Sequence, residues 1–331
     1  MDAILDAVLA RYPVEARPRG KLLALGNAGG LSGARLWRFS ALRGPLVLRA
    51  WPEQGPSRAD VERVHRWLAR AARLPFVPVP IADREGRTVV EASGRLWELA
   101  PWLPGSPATA GSPTPARIRA ACSALAAFHE VFAEERRAGP SPNLAARLEE
   151  LEKLQSGGFD HLEEALARAG DDPAVPIGRR WLALARRLAP SVGEELRHQL
   201  AHEVPLQPCL RDARPEHFLF EGERLTGLVD YGAMGIECVT SDLARLLLEW
   251  LEDPASWALG INAYETVRRL DPAEDRLIGP FTRSAALLGP GRWVRWRFVE
   301  ERPFERPEVV VERLARGQDL LARLAASGFI R

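Results

Sequence analysis

Short apolar runs with alternating hydrophobic and polar positions dominate the first hundred residues of the chain. Such period-two alternation, bounded by Gly and Pro, is typical of half-buried β-strands. The pattern predicts strands at residues 22–25, 34–39, 45–51, 88–91 and 95–100. Residues 57–73 instead show helical spacing, and Ser57 and Asp60 form a start that resembles a capping box. The sequence therefore predicts a small antiparallel sheet with a helix inserted between two of its strands.

Beyond Ser106 the chain changes to helical spacing. Apolar residues recur three and four positions apart, which is typical of amphipathic helices. The helices predicted here are 117–132, 144–154, 161–169, 179–188, 242–251, 258–270, 278–288 and 308–325. We therefore expect an α+β, two-lobed fold. Residues 1–102 form the small antiparallel-sheet lobe and residues 103–331 the larger, mostly helical lobe.

Composition narrows the functional classes. The 331 residues carry a formal net charge of +1, so no global field favours nucleic acid or a membrane surface. The three cysteines, Cys122, Cys209 and Cys238, are odd in number and far apart, which argues for a reducing compartment without a disulfide framework. The N-terminal segment carries Asp2 and Asp6 among apolar residues, and this favours an amphipathic helix over a signal peptide. We expect a cytoplasmic protein, and its oligomeric state is not indicated.

Two carboxylates flank a predicted hairpin in the second half of the chain. Asp212 precedes a short apolar strand, a turn follows at residues 221–223, and the second strand, 225–229, ends at Asp230. Either Asp alone is typical of an ordinary turn. Around one hairpin, however, one carboxylate can deprotonate an attacking hydroxyl while the other holds a metal that bridges nucleotide phosphates. The pair therefore favours phosphoryl transfer.

A glycine-rich run, Gly-Asn-Ala-Gly-Gly-Leu-Ser-Gly, joins the first two predicted strands. Backbone N–H groups in such a turn can approach phosphates without Cβ clashes. Gly29, Gly30, Ser32 and Gly33 are the candidates for this contact. The run is not a Walker loop, because no Gly-Lys-Ser/Thr opens a helix. Glycines also form ordinary hairpins, so the phosphate interpretation depends on the motifs further along the chain.

The hairpin resembles the catalytic loop and Asp-Phe-Gly motif of the protein-kinase-like fold, and most closely the aminoglycoside phosphotransferase family, which phosphorylates small molecules. The family pattern is His-Gly-Asp, four residues, then Asn. Here Asp212 follows Leu-Arg, and four residues separate it from His217. The resemblance implies that Asp212 is the catalytic base and that Asp230, in Asp-Tyr-Gly, binds magnesium. It also implies that Asp242 supports the catalytic loop from a helix.

His217 departs from the family pattern, which has a metal-binding Asn at this position. Imidazole binds metals through nitrogen, whereas magnesium prefers oxygen ligands. Three roles for His217 stay open: a ligand of a softer divalent ion, a contact to the metal through water, or a hydrogen bond to Asp212. Loss of the metal site is the remaining interpretation.

The resemblance also assigns roles in the first lobe. Arg49 stands where kinases place the Lys that pairs with the α- and β-phosphates, and Glu62 is the candidate helix acid that pairs with this side chain. The alternatives are a solvated strand charge for Arg49 and an exposed i,i+4 pair with Arg66 for Glu62.

Residues 101–105, Pro-Trp-Leu-Pro-Gly, resemble the hinge of the family, whose backbone meets adenine. Proline lacks an N–H but keeps its C=O, so Pro101 is a candidate acceptor and Leu103 a candidate donor. A proline-stiffened linker between lobes is an alternative that can hold at the same time.

Together these features predict an ATP-dependent phosphotransferase that moves the γ-phosphate to a hydroxyl of a small molecule, with Mg²⁺ or Mn²⁺ as the metal. A sugar, an amino alcohol, a hydroxy amino acid or an aminoglycoside-like compound fits as the acceptor. The alternative hypothesis is a pseudokinase that binds nucleotide and acts as a scaffold or regulator. A protein kinase fits less well, because the chain lacks the His-Arg-Asp and Ala-Pro-Glu signatures.

Overall fold

The computed structural model describes residues 2–26, 33–108, 113–250, 253–304 and 306–327 of the chain. These residues form two compact units. The first unit comprises Met1–Glu134, Asp212–Gly235 and Asp253–Arg268, and the second comprises Glu135–Arg211, Ile236–Glu252 and Arg269–Arg331. Both units combine segments that are distant in sequence. The lobe boundary expected at residue 102 stays a prediction.

An antiparallel sheet occupies the N-terminal part of the first unit. Its strands are β1 (Leu23–Gly26), β2 (Arg35–Ala41), β3 (Gly44–Ala50), β4 (Val90–Ala92) and β5 (Arg95–Pro101). Their spatial order is β1-β2-β3-β5-β4. Alternate residues of β2, β3 and β5 are buried, among them Phe39, Leu48 and Leu99. The indole rings of Trp37 and Trp97 stack with centroids 5.6 Å apart. The predicted period-two pattern is therefore confirmed.

Two helices accompany this sheet. Helix α1 (Asp2–Leu9) contributes Val8 and Leu9 to the core beneath the sheet. Helix α2 (Arg58–Arg70) follows β3, and the Ser57 hydroxyl caps its N-terminus by accepting from the Asp60 N–H at 3.2 Å. This cap confirms the predicted helix start.

The remainder of the first unit carries the predicted hairpin. Strands β6 (Ser106–Pro107), β9 (Phe218–Glu221) and β10 (Arg224–Leu228) form a sheet in the order β10-β9-β6. Helix α3 (Pro115–Glu130) packs against α8 (Pro254–Glu265). Within this contact, Nδ1 of the buried His129 lies 2.8 Å from the Tyr264 hydroxyl.

The second unit is mostly helical. Its helices are α4 (Pro142–Lys153), α5 (Phe159–Arg168), α6 (Val175–Leu200), α7 (Thr240–Trp250), α9 (Pro272–Asp275), α10 (Ile278–Phe298) and α11 (Pro307–Ala326). A π-helical turn, Leu154–Gly158, joins α4 to α5. The strands β7 (Arg137–Gly139), β8 (Val204–Cys209) and β11 (Gly235–Glu237) form a sheet in the order β11-β8-β7. None of these three strands is predicted by the sequence pattern.

Helices α6 and α10 extend beyond their predicted ends. The predicted segments stop at residues 188 and 288, just before Pro190 and Pro290. A proline inside a helix removes one helical hydrogen bond. Both helices continue through the proline. An antiparallel sheet followed by a mostly helical remainder is the predicted α+β class. No helix within the described ranges is both long and apolar enough to cross a membrane.

Candidate active site

His217 contacts both candidate aspartates, Asp212 through its backbone oxygen and Asp230 through its carboxylate. It ends a short 3₁₀ turn, Pro215–His217, which precedes strand β9. Its Nδ1 lies 2.8 Å from the backbone oxygen of Asp212. Its Nε2 lies 3.6 Å from Oδ2 of Asp230. The structure thus brings Asp212, His217 and Asp230 together at one end of the β9–β10 hairpin.

The hydrogen bond to Asp212 indicates which tautomer a neutral imidazole ring adopts. A backbone carbonyl only accepts, so Nδ1 of His217 carries a proton and donates it. In the neutral ring, Nε2 then keeps its lone pair and faces the Asp230 carboxylate. A histidine that donates from one nitrogen and presents the other is the usual arrangement of a metal ligand in proteins. The backbone contact, rather than a side-chain contact to Asp212, is therefore the one that the structure contains.

Asp230 has a strained backbone and an open side chain. Its φ is 65°, in the left-handed region that Asp visits only as single residues. The N–H of Val229 donates to the backbone oxygen of His217 at 2.9 Å and anchors the chain immediately before Asp230. The Asp230 side chain is 54% exposed. Strain of this kind is concentrated at functional sites, and the exposed carboxylate is accessible to a ligand.

Asp242 supports the backbone immediately before Asp212, as the resemblance implies. Its carboxylate accepts from the N–H of Leu210 at 2.6 Å and from the N–H of Arg211 at 2.7 Å. Arg211 has φ 64°, and Asp242, in the first turn of α7, is fully buried. These two charge-assisted hydrogen bonds to a buried carboxylate stabilise the left-handed conformation of Arg211.

A second buried carboxylate, Glu237 of β11, lies in the same unit. It accepts from the Ser141 hydroxyl and the Asn143 N–H, both at 2.6 Å. Burial raises the pKa of Glu237, and the hydrogen bonds from Ser141, Cys238 and Asn143 oppose the shift. The side chain of Arg211 donates to the Asn143 amide oxygen at 3.3 Å. The network therefore continues to the residue that precedes Asp212.

The Asp-Tyr-Gly motif is held by aromatic packing. The Tyr231 ring is buried and lies 5.6 Å from the ring of Phe128. Burial raises the pKa of its hydroxyl well above the ordinary value. A Cβ at Gly232 would lie 3.2 Å from Cη2 of Trp51 and 3.5 Å from Oδ1 of Asp230. Glycine therefore allows Trp51 to pack closely beside the motif.

Of the candidate phosphate-binding residues, the structure describes Gly33 and Arg49. Gly29, Gly30 and Ser32 lie outside the described residues. Gly33, two residues before β2, adopts φ 70°, a conformation that favours glycine. Arg49 lies on the central strand β3, and its side chain is one-quarter exposed.

Arg49 pairs with Glu98, not with Glu62. Nη1 of Arg49 lies 3.2 Å from Oε1 of Glu98, its direct cross-strand partner on β5. Glu62 instead pairs with Arg58, one turn earlier on α2, at 2.8 Å. The prediction that Glu62 is the acid paired with Arg49 is therefore wrong. The alternative partner considered for Glu62, Arg66, is not the observed one either.

Glu98 is the main functional candidate that the sequence does not reveal. Burial alone would raise its pKa, but Arg49 and the hydrogen bond from His65 hold the pKa of Glu98 below its ordinary value. Strand alternation predicts only that Glu98 lies on the face opposite Trp97 and Leu99. The strand register, which pairs residue 98 with residue 49, is the signal that would have found it.

The candidate hinge packs against the β9–β10 hairpin. The N–H of Trp102 donates to Pro45 at 2.9 Å, so Pro101 and Leu46 form a non-hydrogen-bonded pair and the Pro101 carbonyl is directed away from β3. A Cβ on Gly105, which has φ 103°, would lie 2.5 Å from Oγ1 of Thr226.

The residue before the hinge glycine is bonded to the hairpin as well. The Thr226 hydroxyl donates to the backbone oxygen of Pro104 at 2.6 Å. A Cβ on Gly227 would lie 3.0 Å from Cδ1 of Leu103. The Leu-Pro-Gly sequence thus has a packing reason, and it fixes the hinge to strand β10.

Comparison with curated proteins finds a small-molecule kinase. The homoserine kinase of Xanthobacter autotrophicus is 26% identical over 251 residues, which cover 74% of this chain and 72% of the relative.

Solved structures show the same fold. An amicoumacin kinase in complex with AMP-PNP and Ca²⁺ superposes with a TM-score of 0.66 at 13% identity, covering 97% of this chain and 93% of that one. The aminoglycoside phosphotransferase of Alicyclobacillus acidocaldarius has a TM-score of 0.58 at 16% identity, covering 99% and 96%. A sequence profile of the phosphotransferase enzyme family matches residues 25–278. The chain therefore belongs to the phosphotransferase enzyme family.

Proposed function

We propose that this protein is an ATP-dependent kinase that transfers the γ-phosphate to a hydroxyl of a small molecule. The observation that carries the proposal is the arrangement around His217, which contacts both the Asp212 backbone and the Asp230 carboxylate. It joins a candidate base and a candidate metal ligand on one hairpin. Phosphoryl transfer requires mainly positioning and charge stabilisation from a protein, and fixed backbone geometry at these residues suits that requirement.

Asp212 is the proposed general base. It is partly exposed, and its backbone is held on one side by His217 and on the other by the bonds from Leu210 and Arg211 to Asp242. A carboxylate so positioned accepts the proton of the acceptor hydroxyl as the oxygen attacks phosphorus.

Asp230 and His217 are the proposed metal ligands. The donor set fits a divalent cation, because an open carboxylate oxygen and an imidazole Nε2 with a free lone pair face each other at 3.6 Å. A bound metal supplies neutralisation of the charge on the nucleotide phosphates. Mg²⁺ and Mn²⁺ are the proposed ions.

Arg49 and the glycine-rich run are the proposed phosphate contacts. Gly29, Gly30, Ser32 and Gly33 would offer backbone N–H groups, and Arg49 a guanidinium suited to phosphate oxygens. The carbonyl of Pro101 and the N–H of Leu103 are the proposed adenine contacts, and the outward direction of the Pro101 carbonyl supports this.

A hydroxy amino acid is the acceptor class that we propose to test first. The homoserine kinase match extends over most of both chains, and this supports an acceptor that carries a primary hydroxyl beside an amino acid group. Sugars, amino alcohols and aminoglycoside-like compounds complete the panel.

The test is ATP consumption by the full-length protein against that panel, with Mg²⁺ or Mn²⁺, for wild type and Asp212→Asn. Asp319→Asn, an exposed Asp on α11, is the matched control. We expect acceptor-stimulated turnover in wild type and in the control, and its loss in Asp212→Asn. Metal-dependent nucleotide binding without turnover for any acceptor would favour the pseudokinase hypothesis. Equal turnover in Asp212→Asn would exclude Asp212 as the base.

A further inference from the structure

Glu98 gathers three donors around one carboxylate. Its Oε1 lies 3.2 Å from Nη1 of Arg49. Its Oε2 lies 2.8 Å from Nε2 of His65 and accepts from the indole N–H of Trp51 at 3.2 Å. The Glu98 side chain is only 12% exposed. A carboxylate so buried is stable only when its oxygens are paired, so this cluster is a fixed feature of the first unit.

His65 connects helix α2 to the cluster. A neutral imidazole donates from Nε2 to Glu98 and accepts at Nδ1 from the Thr88 hydroxyl, 2.8 Å away. Both ring nitrogens are therefore satisfied in one tautomer. Helix α2 is therefore connected to Arg49 by the contact of His65 with Glu98, which in turn pairs with Arg49. Glu62, on the same helix, pairs with Arg58.

Arg49 retains donors for a second anion. A guanidinium has five N–H donors, and Glu98 contacts Nη1. Among the described residues, Glu98 is the only carboxylate paired with Arg49. The remaining N–H groups can therefore serve phosphate oxygens, for which the planar guanidinium is well suited.

Trp51 extends the cluster to the Asp-Tyr-Gly motif. The Arg49 guanidinium lies 5.0 Å from the centroid of the Trp51 ring. The far edge of the same ring lies beside Gly232, where a Cβ would be 3.2 Å away. One indole thus contacts Arg49, Glu98 and the segment that follows the candidate metal ligand Asp230.

We propose that Glu98 is the positioning residue that orients Arg49 toward the nucleotide phosphates, with His65 and Trp51 holding the Glu98 carboxylate in place. The strand acid takes the role that the resemblance assigns to the helix acid Glu62. The inference rests on the proposed function, because it presumes that Arg49 contacts nucleotide.

The test measures nucleotide binding and turnover separately. The dissociation constant of ATP is measured by calorimetry without acceptor, and kcat and both KM values are measured with acceptor. Glu98→Gln keeps the side-chain size and removes the charge. We expect the Kd and KM for ATP to rise about tenfold, with the acceptor KM and kcat within about twofold, because an unpaired Arg49 samples other rotamers. Glu98→Asp is expected to recover part of the loss.

Two matched variants make the test specific. Glu91→Gln, an exposed acid of β4 in the same sheet, is expected to leave ATP binding unchanged. Glu62→Gln decides between the two acids. If Glu62→Gln weakens ATP binding as much as Glu98→Gln, the helix acid orients Arg49 and the inference is wrong.

A double-mutant cycle asks whether Glu98 acts through Arg49. In an Arg49→Gln background, Glu98→Gln is expected to have no further effect on the Kd of ATP. Additive effects would overturn the inference. Should Glu98→Gln not fold, Trp51→Phe removes the indole N–H that donates to Glu98 and keeps an aromatic, though smaller, ring. About a threefold rise in the Kd of ATP is expected. An unchanged Kd in that variant would overturn the inference as well.

The two proposals fail in different ways. Wild-type protein that binds and turns over ATP, with Glu98→Gln equal to wild type, overturns only the role of Glu98. Wild-type protein that binds no nucleotide under either metal overturns both.

Discussion

Two carboxylates of the same unit have opposite environments. Asp230 is 54% exposed, and its Oδ2 lies 3.6 Å from Nε2 of His217. Glu98 is 12% exposed and its oxygens are within 3.2 Å of donors from Arg49, His65 and Trp51. The exposed carboxylate of Asp230 can still accept a ligand. The carboxylate oxygens of Glu98 are already paired with donors inside the protein.

The backbone conformations of Asp230 and Glu98 differ as well. Asp230 has a left-handed φ of 65°, while Glu98 lies in a regular antiparallel strand. Strained, open positions are typical of groups that bind ligand, and regular, saturated positions are typical of groups that orient other residues. Mutation of the first should therefore change activity, and mutation of the second should change stability together with nucleotide affinity.

The largest expected effect is the loss of turnover in Asp230→Asn. Asn tolerates the left-handed backbone but loses the charge that would hold a metal. We expect kcat/KM to fall about a thousandfold, equivalent to about 4 kcal/mol of transition-state stabilisation. Urea unfolding should show a free energy of unfolding within about 0.5 kcal/mol of wild type, since the side chain is exposed. A strongly destabilised Asp230→Asn would contradict the contrast with Glu98.

The next largest expected effect is a loss of folding stability in Glu98→Gln. Removal of the charge leaves Arg49 without its buried partner, which should lower the free energy of unfolding by about 2 kcal/mol near neutral pH. The pKa of Glu98 is below its ordinary value of 4.5. A lowered carboxyl pKa contributes stability above the ordinary value, and this stability is lost as the pH falls through the lowered pKa.

The measurement is urea unfolding of wild type and Glu98→Gln across an acid series. The difference between them should be constant above the ordinary pKa and shrink as the pH falls below it. The exposed control Glu91→Gln should differ little from wild type at any pH. A difference that grows in acid would mean that the carboxyl of Glu98 is protonated in the native protein.

The same contrast explains what the sequence could predict. Asp212, His217 and Asp230 flank one hairpin of two consecutive strands, so a local pattern of strand, turn and strand is enough to place them at the same end of it. The cluster around Glu98 needs the register between β3 and β5, and this depends on pairing across the sheet rather than on local pattern. The helix acid Glu62, which the resemblance implies as the partner of Arg49, is paired with Arg58 instead.

Helices α6 and α10 show a second limit of local pattern. Pro190 and Pro290 favour helix ends, yet both helices continue because their faces are buried on either side of the proline. The Pro290 ring itself packs on α11, where a Cβ on Gly317 would lie 2.9 Å from it. Tertiary packing outweighs the local cost of about 3 kcal/mol, and only the neighbouring helices reveal it.

The smallest expected effect concerns the metal preference of the exposed site at Asp230 and His217. His217→Asn replaces an imidazole nitrogen beside Asp230 with an amide that offers oxygen, the donor that Mg²⁺ prefers. We expect the ratio of Mn²⁺ to Mg²⁺ affinity, measured by calorimetry in the presence of ATP, to fall about fivefold. His161→Asn, an exposed histidine of α5, should leave the ratio unchanged. An unchanged ratio in His217→Asn would show that Nε2 does not bind the metal, and would leave the bond from Nδ1 to the Asp212 carbonyl as the reason for histidine at this position.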